Sequence, residues 1–332
     1  MRILIAGGTG LIGRHLCKAL LAKGHLLTVL SRSPETVAVK CGAAVQAMLS
    51  LDEWRSDRTF DAVVNLAGEP IVDVRWSAKR KQVLRDSRIA LTEKLVQCIA
   101  SMKQKPTILL SGSAVGYYGN GGDSELDESS HSGADFAADL CRDWEVAACA
   151  AEELGLRPQH GAAEPTGAGV AASHLLPQTA GCASNVSKVR VCLLRTGLVL
   201  SEDGGLLGRM LLPFKLGLGA RLGDGKQWMS WVHIDDYVQM VLSLLDDEQL
   251  RGPFNMTAPQ PVTNAEFTRT LARVLHRPAI FAAPALVLRL AMGERASLLL
   301  EGQRVLPTRL AAAGYQFKFP DLASALNDVL SC

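Results

Sequence analysis

Short runs of uninterrupted apolar residues alternate, through the first part of the chain, with longer stretches in which apolar residues recur every three or four positions. Ile3-Leu4-Ile5-Ala6 reads as a buried strand, and residues 11–23 as a helix whose apolar face carries Ile12, Leu16 and Ala19. Gly24-His25 stops that helix. Residues 26–30 and 61–66 read as further strands, and 77–102 as a helix. A strand at 107–110, a long helix at 135–154 and a strand at 189–194 continue the alternation. Strands that are apolar at successive positions must be covered on both faces, the condition of a parallel sheet between two layers of helices. The fold class expected is α/β, a Rossmann-type doubly wound parallel sheet.

From about residue 201 the rhythm breaks. Glycines crowd 204–225, and Pro213, Pro253, Pro259, Pro261, Pro278 and Pro284 punctuate the C-terminal third of the chain. This predicts a Rossmann domain at 1–200 and a smaller C-terminal substrate lobe at 201–332, closing over a bound cofactor. Residues 157–188 are rich in Ala, Gly, Ser, Thr and Pro and show little periodicity, so they read as a loop insertion between a helix and the next strand.

Charge and cysteine content narrow the function. The net charge is +2, with no long block of like charges, which argues against a nucleic acid or an acidic membrane as partner. The basic stretch at 75–88 falls in a helical pattern and reads as one solvated face. Eight cysteines form no Cys-x-x-Cys pair and no Cys/His cluster with zinc spacing, so no metal is expected. Several occupy apolar positions, where a free thiol acts as a small hydrophobe, and this suits a reducing compartment. The strand beginning at Arg2 leaves no room for a signal or transit peptide. Residues 286–300 are apolar but broken by Arg289, Glu294 and Arg295, so no membrane span is expected. The expectation is a soluble, cytoplasmic protein.

The candidate chemistry begins at Gly7-Gly8-Thr9-Gly10-Leu11-Ile12-Gly13. Glycines at 7, 10 and 13 lie between a strand and a helix. A tight turn, close approach of backbone to a pyrophosphate, and close helix–strand packing each exclude a side chain there. The following helix then points free N–H groups at the phosphates. The second strand ends Leu30-Ser31-Arg32-Ser33, with no acidic residue to accept a ribose 2′-hydroxyl. An arginine pairs bidentately with a 2′-phosphate and a serine donates to it, so the cofactor expected is NADP(H).

With these residues in view the chain resembles the short-chain dehydrogenase/reductase superfamily in its extended, sugar-nucleotide-epimerase-like form. It is most similar to the atypical branch of epimerase family proteins. The resemblance runs over nearly the whole length. It is carried by the glycine loop, Asn65-Leu66-Ala67-Gly68, Ser87-Arg88, and Ser111-Gly112-Ser113-Ala114-Val115-Gly116-Tyr117-Tyr118-Gly119. Arg195-Thr196-Gly197-Leu198, Trp231-Val232-His233-Ile234-Asp235-Asp236 and Leu300-Glu301-Gly302-Gln303-Arg304-Val305 extend it. The resemblance implies that Leu66, Ala67 and Gly68 lie against the adenosine and ribose, that Arg88 approaches the cofactor, and that Leu198 faces the nicotinamide. It also implies a small-molecule substrate, an oxidoreductase or epimerase activity, and a homodimer paired through two helices of the Rossmann domain.

The resemblance fails at the catalytic centre. Superfamily enzymes carry a Tyr-x-x-x-Lys pair on the helix after the fifth strand, the tyrosine moving the proton and the lysine lowering its pKa. Here those positions fall on Ala137 and Cys141, and no Tyr-x-x-x-Lys occurs in the chain. Ser113 is placed as the serine that orients substrate. Three readings stand: Tyr117 or Tyr118 supplies the phenol from another direction, His233 or another lobe residue acts, or the protein binds NADP(H) without turning it over, as a sensor or interaction protein. Cys141, with no adjacent base, reads as a small helix residue, and His233 as ordering the entry to a helix capped by Asp235. Trp76, Trp228 and Trp231 are candidate walls of a substrate pocket.

Overall fold

A computed structural model describes residues 1–155 and 189–331; the insertion expected at 157–188 lies outside the described residues. Seven strands form the central sheet: β1 (Arg2–Ala6), β2 (Leu26–Leu30), β3 (Gln46–Met48), β4 (Ala62–Asn65), β5 (Ile108–Ala114), β6 (Arg190–Thr196) and β7 (Gly252–Met256). Their order is β7-β6-β5-β4-β1-β2-β3, with every pairing parallel. Because β1 pairs with β2 on one side and β4 on the other, the strand order reverses there. A crevice opens beyond their carboxyl ends.

Helices α1 (Leu11–Ala22), α2 (Ala78–Arg85), α3 (Leu91–Ser101) and α4 (Phe136–Cys149) accompany the first strands. After β6 come α5 (Gly205–Lys215), α6 (Ile234–Asp246), α7 (Asn264–Val274), α8 (Ala285–Met292) and α9 (Leu322–Leu330). The strand residues divide by alternation. Ile3, Ile5, Val64 and Leu110 join Leu16 of α1 and Val241 of α6 in one core. Leu4, Val63, Leu109 and Leu193 join Leu95 and Ile99 of α3 in a second, on the other face. A third core holds Leu207 and Phe214 of α5, Phe267 of α7, Leu326 of α9 and the fully buried Trp231. No described helix is long and apolar enough to cross a membrane.

The division expected at residue 200 needs correcting. α6 packs into the core shared with α1, and β7 takes the edge of the central sheet beside β6. The chain leaves the sheet after β6, builds part of the lobe, and returns. In the sequence, Gly252 and Pro253 at the start of β7 resemble loop punctuation. An edge strand tolerates a proline because one side of it has no ladder bond to donate to.

The helix expected at 77–102 begins where Ser77 accepts the Arg80 N–H, and it is interrupted once. Residues Asp86–Ala90 form a π turn between α2 and α3. The turn carries Ser87 and Arg88, which hold the loop after β4. The Glu69 N–H donates to Ser87 Oγ at 3.1 Å, and Arg88 Nη2 donates to the Glu69 carbonyl at 3.0 Å.

Candidate functional site

The glycine loop meets two different surroundings. A methyl on Gly7 would lie 2.7 Å from the Leu66 carbonyl and the Ala67 nitrogen, and its φ of +80° already favours glycine. A methyl on Gly13 would collide with the carbonyls of Gly7 and Gly8. Gly10 differs, since the only described atom near a methyl there is the Gly7 carbonyl at 3.3 Å. Gly7 and Gly13 are glycines because protein is close, and Gly10 because an open space must be approached closely. Gly10 is the N-cap of α1, yet no side chain caps that end and no acidic residue stands in its first turn. The N–H groups of Leu11, Ile12 and Gly13 are left for a ligand anion.

That open space is a cleft of about 900 Å³. Gly7, Thr9 and Gly10 border it from one side, Ser31 and Arg32 from the end of β2, and Leu66, Ala67 and Gly68 from the end of β4. Ile12 turns its side chain into the core and offers only its backbone, while Leu11 packs toward Gly204 and Gly205 of the lobe. Arg32, whose side chain is 91% exposed, pairs with Glu69 Oε1 at 3.0 Å across the cleft mouth. Glu69 escapes the sequence pattern, because it lies just beyond the Asn-Leu-Ala-Gly motif. Arg88 does not line the cleft. Its guanidinium lies behind Gly68, stacks on Trp144 and bonds the carbonyls of Leu84 and Glu69, so it positions the loop from beneath.

At the end of β5 the structure builds a closed polar network. Ser113 Oγ donates to Glu145 Oε1 at 2.7 Å. The same carboxylate accepts Arg195 Nε and Nη2, each at 2.9 Å. Arg195 Nη1 donates to the Tyr118 hydroxyl, which donates onward to Asn255 Oδ1 at 2.7 Å. The Asn255 N–H in turn reaches Glu128 Oε1. Burial opposes the charge on Arg195, but Glu145 outweighs it and the guanidinium is held cationic more firmly than usual. Burial pushes the Tyr118 phenol up to about 12, with Arg195 pulling the other way, so it is a hydrogen-bonding group and not a ready acid. Tyr117 lies under the Arg195 guanidinium, 3.5 Å from its ring centre.

The motifs do not reveal Glu145, Glu128 and Asn255, and they name Arg195 without its role. A signal was available. Arg195 directly follows the apolar run Val191–Leu194 in its strand, and a charge so buried must have a partner. The two positions of the absent Tyr-Lys pair pack against the turn that comes after β5: a methyl on Gly116 would lie 3.6 Å from Ala137 Cβ and 4.0 Å from Cys141 Sγ. Burial, reinforced by Glu145, raises the Cys141 thiol to about 12 and keeps it neutral.

A second cavity, of about 410 Å³, opens between α5 and the C-terminal segment. Val115 and Leu198 border it. Trp228 lines this cavity. Trp231 does not; it is core, and its indole N–H donates to the Gln260 carbonyl. Trp76 stacks edge-on against Phe136 and lines neither cavity. His233 also differs from expectation: it is itself the N-cap of α6, its Nδ1 accepting the Asp235 N–H at 3.1 Å. With Asp235 and Asp328 it makes the one grouping of potential metal ligands among the described residues, and Lys318 already neutralises Asp235 there.

The profile of NAD dependent epimerases and dehydratases matches residues 3–256. The chain belongs to that family. Residues 283–329 match a domain of unknown function, DUF1731. An epimerase family protein of Mycobacterium leprae is 38% identical over 98% of this chain and 94% of its own length. The chloroplastic SDR39U1 homolog of Arabidopsis thaliana is 35% identical over 99% of this chain and 87% of its own. The human epimerase family protein SDR39U1, solved with NADPH, superposes with a TM-score of 0.81 at 34% identity, covering 100% of this chain and 99% of that one. A UDP-galactose 4-epimerase at 15% identity and a TM-score of 0.70 shares the fold alone. The atypical, epimerase-like membership expected from the motifs is thus confirmed.

Proposed function

We propose that this chain binds NADP(H) and acts as an oxidoreductase or epimerase-type enzyme on a small molecule. The observation that carries the cofactor is the uncapped start of α1 at Gly10, opening on a cleft whose far bank presents Ser31 and Arg32. The NADPH of the human relative supports it. The free thiols of the described cysteines suit the reducing cytoplasm expected. Fluorescence titration with NADPH tests the binding, and absence of binding at millimolar cofactor would refute it. Hydride turnover measured against a panel of carbonyl compounds tests the activity.

A second reading, a dinucleotide-binding protein without turnover, is favoured by one observation. The only proton of the Ser113 hydroxyl is already directed at a buried, ion-paired carboxylate, not at the cavity. Steady NADPH oxidation coupled to a defined product would eliminate that reading.

A further inference from the structure

The cavity between α5 and the C-terminal segment carries more chemical information than its position alone. Leu206, Met210 and Phe214 of α5 line it together with Leu222, Trp228 and Leu298. The polar side chains at its wall are largely bound elsewhere. Gln227 Nε2 donates to the carbonyls of Leu222 and Leu299, and Asn264 Oδ1 accepts the Leu222 N–H. Ser230 Oγ donates to the Gln303 carbonyl and accepts the Val305 N–H, and Gln303 Nε2 donates to the Gly119 carbonyl. Arg209 is the single cation in the described lining, and Asp73 holds it at 2.6 Å. The lining's one carboxylate, Glu301, repels an anion further. Among the described lining residues a diphosphate would meet one surface cation, shared with Asp73 and offset by Glu301, where its two charges need several arginine or lysine partners.

The mouth continues the same chemistry. Leu218, a lining residue, stands 57% exposed. Two residues further on, the lining residue Ala220 pairs with the half-exposed Phe281, which heads the strand Phe281–Ala283.

We propose that this cavity takes an uncharged, predominantly apolar molecule, and not a nucleotide sugar. The inference rests on the cofactor reading above only for placing the nicotinamide beside Val115 and Leu198. The cavity's preference for apolar ligands stands on its own lining.

The test uses the whole chain and the neutral fluorophore N-phenyl-1-naphthylamine, with NADPH binding measured separately. Saturable probe binding is expected, undisturbed by millimolar UDP-glucose. Met210→Lys should weaken it by about tenfold or more, since a lysine in that wall loses its hydration, while leaving the NADPH titration unchanged. Leu298→Lys serves in the same way if the first variant does not fold. Leu290→Glu, on the exposed face of α8, should leave probe binding intact. Displacement by UDP-glucose, loss of binding in Leu290→Glu, or binding that persists in both lysine variants would overturn the proposal. Probe binding without NADPH binding would support the cavity assignment and refute the cofactor reading.

Discussion

Ser113 and Glu145 share a hydrogen bond of 2.7 Å, and the carboxylate that receives it is held by Arg195 through two more. A residue placed for substrate orientation is thereby tied into the pairing of two buried charges. Side-chain exposure of Arg195 is 4% and of Glu145 9%, so neither charge is compensated by water. Removing one partner strands the other, which is costlier than the pair is stabilising. Glu145→Gln should lower unfolding free energy by about 3–5 kcal/mol. Ser113→Ala removes one donor among three and should cost about 1–3 kcal/mol. Urea unfolding measures both, and a Glu145→Gln variant as stable as the parent would show that the network is not structural.

The Cys141 thiol, raised to about 12 by burial and by Glu145, should stay protonated throughout the physiological range. Native protein treated with iodoacetamide at pH 8 should leave Cys141 unmodified by mass spectrometry, and denatured protein should be labelled there fully. Rapid native labelling would mean a thiolate, and would restore Cys141 as a candidate nucleophile.

The central sheet was legible because its strands are apolar at successive positions and its first turn has glycines at three defined places. Ser31 and Arg32 were legible because they follow a strand whose place in the sheet is set, and Leu66, Ala67 and Gly68 through the family resemblance; all five border one cleft. The hidden features depend on pairings far apart in sequence. Glu145 and Arg195 are 50 residues apart, and Tyr118 and Asn255 are 137 apart. Glycine and proline at the head of β7 resemble a loop until the strand is known to lie at an edge. The aspartate after His233 draws the cap assignment to itself, yet the histidine's own ring nitrogen already meets the free N–H.

Gly10 and Gly13 offer a separation of binding from folding. Gly10 has φ −75°, and a methyl there would meet the Gly7 carbonyl at 3.3 Å, a contact that a shift of a few tenths of an ångström relieves; the same methyl would project where the proposed pyrophosphate must come close. Gly10→Ala should keep the parent melting temperature and weaken NADPH binding by about tenfold or more. Gly13→Ala forces a methyl against two carbonyls and should destabilise by about 1–3 kcal/mol as well. Equal thermal losses in the two variants would contradict the distinction.

The proposed preference for NADPH rests on Arg32 and its partner Glu69. Their ion pair is exposed on the arginine side, so it is worth about 0.2–1 kcal/mol and a 2′-phosphate competes with it readily. Arg32→Ala should weaken NADPH by about tenfold or more and NADH far less. Glu69→Gln frees Arg32 and should improve NADPH binding by about two- to fivefold. Isothermal titration with both cofactors decides it. An equal loss for NADPH and NADH in Arg32→Ala would remove the 2′-phosphate assignment.

His233 makes stability depend on acidity. Its Nδ1 accepts the Asp235 N–H, and Nε2 lies 3.2 Å from Asp328 Oδ2. Burial lowers its pKa, against the pull of Asp235, Asp328 and Asp236 and with the help of Lys318. Protonation would place a hydrogen on Nδ1 and abolish the cap. The folded pKa lies below the unfolded value of about 6.5, so the unfolded chain binds more protons between the two. Stability should fall as pH drops from 7 through 6.5 toward the folded value, and His233 should add nothing to the slope above about pH 7. His233→Asn keeps an acceptor for the Asp235 N–H and removes the titration. Melting temperature measured from pH 8 to pH 5 should therefore decline less in this variant than in the parent, and parallel declines would place the acid sensitivity elsewhere in the molecule.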